Sequence, residues 1–75
     1  MNKDIRKRIS EAISKLSTCS SELQSICDDE DSARSRMPEN LEGSERYEAS
    51  ENCSDVLEDA ISDIDDVITS LQELT

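Results

Sequence analysis

The chain has one proline and one glycine, and both fall in the segment Arg36-Met37-Pro38-Glu39-Asn40-Leu41-Glu42-Gly43-Ser44-Glu45-Arg46-Tyr47. Proline lacks an N–H and its ring clashes with the preceding helical turn, so a helix arriving from the N-terminal side ends near Met37. Pro38 suits the first position of a short helical turn through Asn40 and Leu41. Gly43 can take the left-handed conformation that closes the connection, and Ser44 can cap a new helix. Leu41 is expected to tuck into the end of the core, with Tyr47 covering it. This punctuation divides a single domain, 1–75, into a helix over about 3–36, a turn over about 37–44 and a helix over about 45–74.

Both flanking stretches carry helical periodicity. In the first, spacings of four and three alternate through Ile5, Ile9, Ala12, Leu16, Cys19, Leu23, Ile26, Glu30, Ala33 and Met37, with Ile13 and Cys27 widening the stripe. Glu30 interrupts it. The run Asp28-Asp29-Glu30-Asp31 is the weakest stretch, and the helix is expected to continue through it. In the second, Tyr47, Cys53, Leu57, Ala60, Ile61, Ile64, Val67, Ile68, Leu71 and Leu74 form the stripe. Its widening residues Cys53, Ala60, Val67 and Leu74 are placed on the flank opposite to that used in the first helix.

Folding the helices back at the turn sets Ile9 against Leu71, Leu16 against Ile64, Leu23 against Leu57 and Cys27 against Cys53. It also brings Lys3, Arg6, Lys7 and Arg8 beside the acidic, carbonyl end of the second helix, where positive charge is favoured. The fold class is all-α: a long antiparallel helical hairpin of coiled-coil type. Two helices bury only one seam, and the chain has no Phe or Trp and one Tyr. A homodimer closing into a four-helix bundle is the simplest way to cover what remains.

The residue types exclude much else. The chain has no histidine, and its three cysteines, Cys19, Cys27 and Cys53, lack CxxC spacing. These features argue against a zinc site and leave no Cys–His or Ser–His pair for nucleophilic catalysis. The cysteines read as reduced, buried, small apolar residues. A Cys27–Cys53 disulfide is conceivable in this register, but a reducing cytoplasm disfavours it. The acids at 28–31 lack the alternation, glycine and terminal glutamate of a calcium loop. A thin hairpin offers no dry cleft in which paired carboxylates could do acid–base work. The expectation is therefore no enzyme, no cofactor and no metal.

Nineteen acidic residues stand against eight basic ones, for a net charge of −11. That balance repels phosphates and anionic lipid, so neither direct nucleic-acid binding nor membrane binding is expected. No long apolar run is present, and a cytoplasmic protein is expected.

The segment Met37 to Glu48, followed by Leu57-Glu58-Asp59-Ala60-Ile61, resembles small acidic proteins carried by phages and mobile elements of Gram-positive bacteria. Their PExLxxSExxE turn precedes an acidic amphipathic helix with Leu-Glu-x-Ala-Ile units. The likeness covers the half of the chain from Met37 onward. It implies a mobile-element origin and a helical hairpin, and it carries over no catalytic residues.

The acids of the second helix are the one sharp functional signal. Nine carboxylates follow Tyr47 and no Lys or Arg follows Arg46. They span about 38 Å of helix axis, one per ~4 Å. A single strand of B-DNA carries one phosphate per ~3.4 Å. Together with the resemblance, this points to a non-enzymatic inhibitor of a host defence or nucleic-acid-binding protein, DNA-mimic-like and of anti-CRISPR type. Glu51, Asp55, Glu58, Asp59, Asp63 and Asp66 would meet a basic surface on that protein in the host cytoplasm. The bland alternative is a helix charged because it faces water. A third is a self-assembling structural or regulatory bundle with no nucleic-acid-related target.

Overall fold

The computed structural model describes residues 1–41 and 43–75. Glu42, part of the predicted turn, lies outside the described residues. Helix α1 runs over Lys3–Ser35, a 3-10 turn over Glu39–Leu41, and helix α2 over Glu45–Gln72; the described residues contain no strand. The two helices lie antiparallel as a hairpin 60 Å long and 15 by 12 Å across. The chain is an all-helical hairpin, and none of its described helices is long and apolar enough to cross a membrane.

The helix ends follow from local chemistry. Asn2 caps α1 by accepting from the Ile5 N–H at 2.9 Å, and Asp4 sits in the positive first turn. α1 passes through Asp28–Asp31 and stops at Ser35, before Pro38. Its end is closed by the Met37 N–H donating to the Arg34 carbonyl at 3.1 Å. Pro38 opens the 3-10 turn, and its carbonyl accepts from the Leu41 N–H at 2.9 Å. Gly43 has φ +80°. The Ser44 hydroxyl then accepts from the Tyr47 N–H at 3.2 Å and starts α2.

The α1 seam is rotated from the predicted one, whereas on α2 the central stripe Tyr47, Leu57, Ile61, Ile64, Ile68 and Leu71 lies where it was expected. On α1 the residues turned inward are Ile9, Ile13, Leu16, Ser20, Leu23, Cys27, Glu30 and Arg34, with Met37 just past its end. On α2 they are Tyr47, Ser50, Ser54, Leu57, Ile61, Ile64, Ile68 and Leu71. In heptad letters these fill positions a and d of both helices. Ile13 and Cys27 thus belong to the seam, whereas Ile5, Ala12, Cys19, Ile26 and Ala33 fall on position g and are exposed. On α2 the residues expected to widen the stripe, Cys53, Val67 and Leu74, are at g and exposed, with Ala60 half-buried. On α1 the hydrophobic pattern alone favoured the wrong phase because Ser20 and Arg34 interrupt the right one. They go inside because each has a polar partner on α2: Ser20 bonds Asp65, and Arg34 bonds Ser50 and Ser54.

Three smaller expectations also change. Leu41 is exposed rather than tucked under Tyr47. Of the cysteines only Cys27 is buried; all three are free, and Cys27 faces Ser54 rather than Cys53. At the open end Arg8 pairs with Asp4 of its own helix at 3.8 Å, both largely exposed, and no cross-helix ion pair forms there among the described residues.

A Cβ on Gly43 would meet nothing within 4 Å, so its backbone alone resists substitution. Gly43→Ala should lower stability by about 1 kcal/mol through left-handed strain. Urea denaturation followed by circular dichroism would check this, and an unchanged midpoint would mean the turn has no need of glycine.

Candidate protein-binding surface

The six acids singled out in the sequence all lie on α2 and all are exposed. They do not form one uniform face. Asp55, Asp59, Asp63 and Asp66 follow one another at spacings of four, four and three, making a row down the outward side of the helix. None of the four makes an ion pair or hydrogen bond among the described residues. Glu51 and Glu58 sit at position e, beside the seam. There they sense the groups of the opposite helix: the charge of Glu51 favours the Arg34 cation, and that of Glu58 disfavours a Cys27 thiolate. Asp65, also at e, accepts a hydrogen bond from the Ser20 hydroxyl at 3.2 Å and ties the helices together.

The seam near the turn holds a polar cluster that a hydrophobic pattern does not reveal. One terminal nitrogen of Arg34 donates to the Ser50 carbonyl at 3.1 Å, the Ser50 hydroxyl at 3.3 Å and the Ser54 hydroxyl at 2.8 Å. The other donates to Asp31 at 2.8 Å, and the Ser54 hydroxyl donates to the same carboxylate oxygen at 2.6 Å. Asp31 is therefore held below the ordinary carboxylate range, first by the Ser54 hydrogen bond and then by Arg34. The hydrogen bond to Asp31 in turn holds the Arg34 proton more tightly. The signal in the sequence was the i,i+3 pair Asp31–Arg34 facing serines at i,i+4 on α2, visible only once the register is known.

Cys27, Asp31 and Glu58 bring one sulfur and two carboxylate oxygens within 4.8 Å of one another, a grouping the sequence reading did not anticipate. Such a trio could in principle ligate a metal ion. Its charge balance disfavours this. Asp31 is already occupied by the Arg34 guanidinium and Ser54. The Cys27 thiol points at the Ser54 carbonyl at 3.9 Å. Burial, followed by the charges of Asp31, Glu58, Asp28 and Cys53, pushes that thiol up, away from the thiolate that binds metals. No cavity opens among the described residues. What the hairpin offers a partner is its surface.

Comparison with protein-family models, with curated proteins and with solved structures finds no match to this chain.

A carboxyl whose folded-state pKa is lowered stabilises the fold above its unfolded value, and that contribution fades as pH falls through the folded value. The stability difference between wild type and Asp31→Asn should therefore be widest near neutrality and shrink from about pH 4 downward. Thermal melts of both proteins across that range would show it. A difference independent of pH would mean that Asp31 contributes nothing through its charge.

Proposed function

We propose that this chain is a non-enzymatic protein-binding module whose acidic second helix occupies a basic surface on a host defence or nucleic-acid-binding protein. The observation that carries the reading is the outward row Asp55, Asp59, Asp63 and Asp66, exposed and unpaired among the described residues, on a helix with nine acids and one base. Such a helix presents a line of negative charge close in density to one DNA strand. The bound target would lose access to its own polyanion by charge and steric occlusion, the action of a DNA-mimic inhibitor of anti-CRISPR type. A phage or mobile-element origin, from the likeness of the turn, and action in the host cytoplasm belong to the same proposal.

Docking of this kind is steered by long-range attraction, so it is fast at low salt and weakens as salt screens the charges. The row is rigid because it rides on a continuous helix pinned to its partner, so little ordering is lost on binding. Glu51 and Glu58 would contribute at the edge of the contact, limited by their proximity to the seam.

A second reading, self-association into a four-helix bundle, is favoured by a separate observation: the exposed apolar residues of both helices gather on one side of the hairpin. It is compatible with the first, because Asp55, Asp59 and Asp66 point away from that side and Asp63, which shares its heptad position with Val56, only borders it.

A tagged pull-down from nuclease-treated host lysate at low and high salt is the direct test. The expected result is recovery of a basic nucleic-acid-binding protein that releases as salt rises. Reversing Asp55, Asp59, Asp63 and Asp66 together to Lys should reduce its recovery at least ~100-fold, several charge contacts' worth of affinity, while helicity is unchanged. Undiminished capture by the reversed variant would overturn the occlusion reading.

A further inference from the structure

The side of the hairpin bearing the two g stripes is built to be covered. In an antiparallel pair of helices, the e positions of both line one edge of the seam and the g positions line the other. The closeness of Cys27, Asp31 and Glu58 places the e edges of α1 and α2 on one side. The g edges therefore share the opposite side. That side carries Ile5 and Ile26 from α1, Val67 from α2 and Leu74 just past its end, with Val56 one position round. These five are 41–57% exposed. The e side of the helices carries no large apolar residue; its positions are filled by residues such as Ser10, Gln24, Asp31, Glu51, Glu58 and Asp65.

We propose that the g side is the interface with a second copy of this chain, and that the two hairpins pack with their turns at the same end, α1 of each lying against α2 of the other. The proposal deepens the self-association reading above and rests on it. Two observations carry it further, and the first is area. The chain exposes 5608 Å², whereas a compact monomer of 8.4 kDa exposes about 4,600 Å². The excess, on the order of 1,000 Å², is close to the roughly 800 Å² that each partner buries in a stable interface. Apolar g positions added to a and d make the wider stripe that helices in a bundle present, not the narrow seam of a two-stranded coil.

The second observation is charge, which chooses the arrangement. Face-to-face packing about a two-fold axis has two forms. With the turns at opposite ends, each helix lies against its own copy, so α2 runs beside α2. With the turns at the same end, α1 runs beside α2 of the other chain. α2 holds nine acids and one base, while α1 holds six bases and seven acids. Packing α2 on itself would set two strongly negative helices within about 10 Å. The same-end form sets the nearly neutral helix beside the negative one. It also puts Ile26 level with Val56, as the Cys27–Ser54 contact fixes that height. The antiparallel relation between neighbouring helices is kept throughout.

The test uses the full chain. Light scattering on a sizing column should give twice the chain mass at micromolar concentration. Ile26→Lys/Val67→Lys should bring the mass to that of one chain without loss of helicity, since both positions are solvent-exposed in the hairpin. A spin label at Asn40→Cys, with Cys19→Ser and Cys53→Ser leaving only the buried Cys27, then reads the arrangement. Labels within roughly 20 Å, two helix spacings, support the same-end form. A separation approaching the 60 Å length of the hairpin overturns it while leaving self-association standing. A single-chain mass for the wild type overturns both the proposal and the self-association reading, and a dimer that survives the double lysine variant overturns the choice of face. All acids of the docking row are retained in these variants, so none of these outcomes depends on the occlusion reading.

Discussion

The hydrogen-bonded cluster of Arg34 with Asp31, Ser50 and Ser54 is the constraint on which the pairing of the two helices depends. An apolar seam tolerates sliding by a turn or rotation by one flank, because one aliphatic side chain packs nearly as well as another. A guanidinium with five fixed donors does not. If α2 slipped along α1 or rolled toward its g edge, Arg34 would lose its acceptors on Ser50 and Ser54, and Asp31 would lose the Ser54 hydroxyl and keep only Arg34 of its own helix. An unsatisfied buried hydroxyl alone costs about 1–3 kcal/mol. The cluster lies close to the turn, so it also fixes the helices where the connection is shortest and the apolar content is lowest. Ile61, Ile64 and Ile68 on α2 and Ile9, Ile13 and Leu16 on α1 then close the far half by ordinary burial.

This division explains how much was legible. The turn could be read residue by residue: Pro38, Gly43 and Ser44 each have few backbone roles, and each plays the expected one. The helices and their antiparallel pairing were likewise visible, because d positions such as Ile9, Leu16, Leu23, Leu57, Ile64 and Leu71 are apolar in any phase. The choice between the neighbouring positions a and g was not. On α1, position g reads Ile, Ala, Cys, Ile, Ala, while position a reads Ile, Ser, Cys, Arg from Ile13 to Arg34. Counting apolar residues selects g. The serines and the arginine enter the seam because each has a partner there, a pairwise property that appears only after the opposite helix is in place.

The same miscount accounts for the surface. Residues that looked like core, among them Ile26, Cys53 and Val67, are exposed because the seam was satisfied without them. The acids were legible as a charged face, since none fell on either apolar phase. Their division was not: Glu51, Glu58 and Asp65 edge the seam, and Asp65 bonds across it, while Asp55, Asp59, Asp63 and Asp66 face outward.

The hairpin thus separates two kinds of surface onto two sides of a scaffold too thin to have an interior of its own. Apolar residues at g would be a liability on a free helix, and the acid row would be a repulsive one on a helix that packed against its equal. Together they are consistent. The negative charge of α2 rules against the arrangement that would bury it against itself, and the apolar side supplies the attraction that the charge cannot. A bundle formed that way keeps Asp55, Asp59 and Asp66 of each copy on the outside, at opposite faces, with Asp63 at the rim, where two basic surfaces could be met at once. Joining two such rows on one rigid body converts the second contact into an intramolecular one, which raises avidity without any new interaction.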